Sequence, residues 1–186
     1  MFATNRILMV AGAAFACASA TAQAGTEKDQ GLANIGDGVA IALPVAAAGI
    51  SLWKDDWNGV GQLALDGLAT VGTVEALKHL VKEHRPDYSD DRSFPSATSA
   101  VAFAPANYLW DRYGWQYGVP AYGGALFVGA TRIISNQHYW WDVATSGVIA
   151  LGYTKLFVSP LRKTYGIDSD LEVTPHSVMA SLSYKW

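Results

Sequence analysis

Six polar side chains in this 186-residue chain are spaced as a reacting centre would need them. Lys78 is followed by Arg85 and Pro86 in "KHLVKEHRP". Pro95-Ser96-Ala97-Thr98 opens a run of small residues. Arg132, His138 and Asp142 then punctuate the otherwise apolar "ATRIISNQHYWWD". Two arginines, a lysine and the free amides of a helix N-terminus describe a pocket for a tetrahedral dianion such as phosphate. Arginine meets phosphate oxygens through a planar fork, and lysine adds a point charge. A histidine with an aspartate four residues on can have one ring nitrogen held and the other left free, as a nucleophile requires. Each cluster also has a plain structural explanation: a helix C-terminus meeting its dipole, a helix start, a hydrogen-bonded i,i+4 pair. The chemical reading depends on their meeting.

For them to meet, helices must bring their ends together. Apolar periodicity and stop signals predict helices at 34–52, 58–83, 97–112, 118–135 and 138–157, an all-α bundle of about five helices. The second carries the clearest apolar spacing: Leu63, Leu65, Leu68, Val71, Val74, Leu77, Leu80 and Val81. Pro86 disfavours helix at the residue before it, and Ser96 stands where an N-cap belongs. The tail "HSVMASLSYKW" alternates with a period of two, predicting a short C-terminal β-strand or hairpin.

Residues 1–24 read as a secretory signal peptide, with Arg6, an apolar run and a small-x-small end at Ala22-Gln23-Ala24. That leaves one domain, 25–186, expected in the periplasm or exported. Cys17 lies inside the leader, so the mature chain would have no thiol chemistry. A formal charge of −3 argues against nucleic acid as a partner. The apolar windows 38–53 and 117–131 fall short of the roughly 18–20 residues that span a bilayer. Asp66 and Glu75 in the second helix would be expensive in lipid. The expectation is therefore a compact helical domain with peripheral membrane contact. The sequence leaves its oligomeric state open. A zinc site on His138 and Asp142 lacks a third ligand at a recognisable spacing, and Ser96 lacks a Gly-x-Ser-x-Gly elbow; no metal or cofactor is expected.

Taken in order, K-x6-R-P, then P-S-x-x, then R-x5-H-x3-D resembles the three-part signature of the type-2 phosphatidic acid phosphatase and vanadium haloperoxidase superfamily. The resemblance runs from Lys78 to Asp142. It implies that Lys78, Arg85 and Arg132 hold phosphate oxygens, with Ser96 and the Ala97 amide completing the cradle. It also implies that His138 forms a phosphohistidine oriented by Asp142, and that phosphate or vanadate could occupy the same oxyanion site. The substrate it implies is a phosphomonoester or diphosphate, on a small molecule or a lipid.

The middle motif departs from the family's usual Pro-Ser-Gly-His: Ala97 replaces the glycine and Thr98 the histidine. Thr131 also stands where serine is usual. The missing histidine resembles the general acid that protonates the leaving oxygen, and losing such a group typically costs about 10²–10⁴ in rate. His84, Glu83 and Asp91 are the nearest candidates to replace it. The alternatives left open are a homologue that binds a phosphorylated ligand without turnover and, third, a vanadate-dependent haloperoxidase.

Overall fold

The computed structural model describes residues 27–161, 166–174 and 177–185, so the expected signal peptide at 1–24 lies outside the described residues. Among the described residues five helices run in sequence: α1 Glu27–Trp53, α2 Trp57–Leu80, α3 Ala97–Tyr113, α4 Trp115–Ile134 and α5 Trp140–Phe157. Polar caps and one glycine set several of their ends. Asp56 accepts from the Gly59 amide at 2.9 Å to start α2, and Ser96 accepts from the Ser99 amide at 3.4 Å to start α3. Gly114, at φ 90°, lets α3 stop and α4 begin one residue later. Helix α3 is the central element and packs against all four others.

Three helix boundaries differ from the expected ones by three residues or more, since α4 begins at Trp115 rather than 118 and α1 and α2 differ as well. Helix α1 begins at Glu27, well before the expected residue 34. Helix α2 stops at Leu80 rather than 83, because the backbone after it pairs elsewhere. Glu83 bridges Arg92 in parallel, and its carbonyl accepts from the Ser93 amide at 2.9 Å. After the bundle, β1 Gly166–Thr174 and β2 Ser177–Lys185 form an antiparallel hairpin, with Leu171 opposite Ala180 and Val173 opposite Val178.

Only part of the apolar series of α2, Leu63 and Val74, is buried. Its buried stripe is Gly59, Leu63, Asp66, Thr70, Val74 and Lys78, whereas Leu65, Leu68 and Leu80 are exposed. Small residues are prominent inside the other helices as well. Ala33, Ala40, Ala47, Ala100, Ala104, Ala106, Ala121, Ala125 and Ala150 fill the interior, while Ile35, Val45, Leu126, Val148 and Leu156 point outward. Small residues inside allow close helix approach, and large apolar residues outside need an apolar surrounding. Helix α1 is long and apolar enough over Gln30–Trp53 to cross a membrane. The sequence window looked too short because it stopped at Asp37, which the helix runs straight through. Asp66 also loses its weight as an objection: it is fully buried, accepting from Thr154 Oγ1 at 2.8 Å and Thr70 Oγ1 at 3.5 Å.

The two ends of the bundle carry different polar clusters. At one end Arg112 grips Asp56 through two bonds, Nε to Oδ2 at 2.7 Å and Nη2 to Oδ1 at 2.5 Å, and also reaches the Ser159 carbonyl. That fork ties the α1–α2 turn to α3 and to the chain leaving α5. It holds the Asp56 carboxyl down at about 2. The other end gathers every residue singled out for chemistry.

Candidate active site

His138 lies in the turn between α4 and α5, 4% exposed, with its amide donating to the Arg132 carbonyl at 3.2 Å. The next residue, Tyr139, caps α5. Asp142 sits in the first turn of that helix, and its Oδ2 accepts the Tyr139 amide at 2.9 Å. Helix phase therefore brings Asp142 back under His138: Nδ1 stands 3.4 Å from Oδ2. This is an ion-pair distance without hydrogen-bond alignment, and neither His138 Nδ1 nor Asp142 Oδ1 has a hydrogen-bond partner among the described residues. Ser93 Oγ donates to Asp142 Oδ2 at 2.5 Å and fixes the carboxylate from the other side. Burial holds His138 below the ordinary imidazole value. Asp142 works against that shift, while Arg85 and Lys78 reinforce it. The ring is thus neutral at neutral pH, the form with a nucleophilic nitrogen.

Lys78 and Arg85 both bear on the charge of this histidine, and Arg132 reaches the residue before it. Lys78 closes α2, buried, and its Nζ donates to the Arg92 carbonyl at 3.0 Å. Arg85, from the loop after α2, binds Asp90 Oδ1 through Nε at 2.7 Å and reaches the Gln137 carbonyl through Nη1 at 3.4 Å. Arg132, in the last turn of α4, donates from Nη1 to Gln137 Oε1 at 2.7 Å and lies 3.0 Å from Asp37 Oδ1. Its Nη2 bonds the Ala33 carbonyl. Both arginines therefore converge on Gln137, the residue directly before His138.

The start of α3 completes this end of the bundle. The Ser96 amide donates to the Asp142 carbonyl at 3.3 Å, and Ser146 Oγ lies 2.8 Å from both the Ser96 and Asp142 carbonyls. Ser96 thus joins α3 to α5, and its own amide is already engaged. Ala97 and Thr98, half-buried in the first turn, belong to the four residues whose N–H groups have no acceptor within the helix. Of the groups considered in place of the missing histidine, His84 and Asp91 pair with each other at 2.5 Å, both exposed. Glu83 accepts from Trp141 Nε1 at 3.0 Å, and burial together with the nearby Asp142 charge raises its proton affinity.

Several residues here escaped the sequence reading. Ser93, Gln137, Ser146 and Asp90 carry no periodic or motif signal, and only the folded chain brings them to the site. Gly36 and Asp37 did carry one, a lone carboxylate beside glycines within an apolar run. A Cβ on Gly36 would overlap Thr131 Oγ1 and come within 2.8 Å of Arg132 Nη2, so glycine is what lets α1 lie against Arg132.

Comparison with known proteins gives the family of the chain. Residues 60–164 match the family model described as the PAP2 superfamily. The lipid A 4'-phosphatase of Helicobacter pylori is 31% identical over 139 residues, covering 69% of this chain and 70% of that protein. The lipid A 1-phosphatase of Porphyromonas gingivalis is 35% identical over 129 residues, covering 63% of this chain and 29% of that protein. A crystal structure described as the first transmembrane PAP2 type phosphatidylglycerolphosphate phosphatase, from Bacillus subtilis, aligns over 82% of this chain and 90% of its own at 20% identity, with a TM-score of 0.40. Matched by a family model across more than half its length, and by a relative along most of both chains, this chain belongs to the PAP2 superfamily.

Proposed function

We propose that this chain is a lipid-phosphate phosphatase that passes the phosphoryl group through His138. The observation that carries the reading is the convergence of Arg85 and Arg132 on Gln137, directly before a buried, neutral histidine backed by a carboxylate. Lys78, Arg85, Arg132 and the Ala97 and Thr98 amides would share the phosphate oxygens, and Ser96 would keep those amides in place. The Nε2 lone pair of His138 attacks phosphorus while the bond to the ester oxygen breaks, and that oxygen leaves with its electron pair. Asp142 stabilises the positive charge that develops on the ring. Water then attacks phosphorus, the P–N bond breaks, and inorganic phosphate and neutral histidine return.

With threonine at position 98, the ester oxygen receives its proton from solvent or from a weaker donor. The reaction accordingly favours leaving groups that tolerate departure as anions, diphosphates among them. The relatives named as lipid A phosphatases support a phosphorylated lipid as substrate.

The outward large apolar residues support a bundle embedded in a bilayer. Trp53, Trp57, Trp110 and Trp115 ring the end away from the site, and Trp140 and Trp141 stand at the site end, as aromatic residues do at the two faces of a membrane. The 20 residues of α4 give it a length of about 30 Å, one hydrocarbon thickness. Export through residues 1–24 belongs to the same proposal, with the site facing the outer side.

The covalent step is tested by quenching the purified full chain in alkali during turnover of a ³²P-labelled lipid phosphate. Label on His138 that is stable to base and labile to acid supports the reading. Turnover with label on another residue contradicts it.

A further inference from the structure

Lys78 faces two ways: it belongs to the phosphate cradle and also lines a cavity of about 400 Å³ with His79, Lys82, Asp90, Asp91 and Arg92. The two carboxylates in this lining are already engaged. Asp90 holds Arg85 Nε at 2.7 Å and the Arg92 amide at 2.8 Å, and Asp91 holds His84 Nδ1 at 2.5 Å. The cations are not. Lys78 Nζ has one bond, to a carbonyl, and among the described residues the Lys82 and Arg92 side chains have no ion-pair partner. Their backbone positions are nonetheless fixed, because the Glu83–Arg92 bridge and the bond from the Ser93 amide to the Glu83 carbonyl clamp the two segments together. Neither Lys82 nor Arg92 belongs to the charged positions of the motifs. They form a positive lobe, open to solvent, that meets the cradle at Lys78.

We propose that this lobe is a second anion subsite, which takes a second phosphate of the same lipid while the first lies against His138. The inference rests on the phosphatase reading and extends it to the substrate class: lipids bearing two phosphates are preferred over lipids bearing one. Lys82 and Arg92 select by binding, and they sit on loop and helix-end backbone that a neutral side chain leaves undisturbed.

The test compares kcat/KM for lipid A carrying two phosphates with that for its monophosphorylated form, in wild type and in the double variant Lys82→Gln/Arg92→Gln. Removing the charge-assisted bonds to the second phosphate should cut the preference for the two-phosphate lipid by about tenfold or more. An unchanged ratio overturns the subsite while leaving the phosphatase reading intact. If the wild type hydrolyses neither lipid, the phosphatase reading falls, and thermal melting with each lipid in detergent decides the subsite separately. A larger stabilisation by the two-phosphate lipid that the double variant loses keeps it. Equal shifts in both proteins, with either lipid, end it.

Discussion

His138 is set up by opposing forces. Burial and two neighbouring cations favour the neutral ring, and Asp142 at 3.4 Å favours the charged one. The balance lies on the neutral side, so the free protein has to be taken below the ordinary imidazole value of about 6.5 before the nucleophile is protonated. Activity is therefore present above that lowered value and lost as pH falls through it. The acid limb of kcat/KM, corrected for the substrate's own ionisation, should fall below pH 6.5; a limb at or above it would mean that burial does not control this group. Thr98 sets a second expectation. Thr98→His should raise the rate on esters with poor leaving groups by about tenfold or more and change diphosphate hydrolysis little. Equal gains on both would place residue 98 away from the leaving oxygen. The charged residues were legible in the sequence because their chemistry demands particular types at fixed intervals. Ser93, which holds Asp142 at 2.5 Å, was not, since a serine near a proline is an ordinary loop residue until the chain folds back.

At the scale of the helix, α1 does more than cover the bundle. It brings the Ala33 carbonyl and Asp37 against Arg132, and Gly36 makes that approach possible. Gly36→Ala should push α1 and the Arg132 fork apart. A displacement of about 1 Å at a phosphate-binding group costs up to about a hundredfold in kcat/KM. Steady-state kinetics on the folded variant would show it, and kinetics equal to wild type would mean that α1 does not position the fork. The positions of the five helices were readable from periodicity and caps, but their facing was not. In α2 the leucines are the more conspicuous residues, yet the inward stripe is Leu63, Asp66, Thr70, Val74 and Lys78, with Leu65, Leu68 and Leu80 turned outward. A pattern of apolar spacing reports two faces without saying which of them meets lipid and which meets protein.

That ambiguity resolves only for the whole molecule. An interior rich in alanine and hydroxyl residues, many large apolar residues on the exterior, and tryptophans at both ends make one consistent design if hydrocarbon surrounds the bundle. The chain should accordingly remain in the membrane pellet after alkaline carbonate extraction and need detergent for release. Recovery in the aqueous fraction would contradict the embedded bundle while leaving the site's chemistry untouched. The Asp56–Arg112 fork at one end and the His138 centre at the other then occupy the two polar faces, with the reaction confined to one of them.

The central claim is that His138 carries the phosphoryl group, and inorganic phosphate release tests it most directly. The purified full chain in detergent would be given a lipid monophosphate and a lipid diphosphate, with His138→Ala measured in parallel. The account predicts release by the wild type, faster from the diphosphate, and none above background from the variant at unchanged melting temperature. Release that persists in His138→Ala, or a wild type that binds both lipids and releases phosphate from neither, would contradict it.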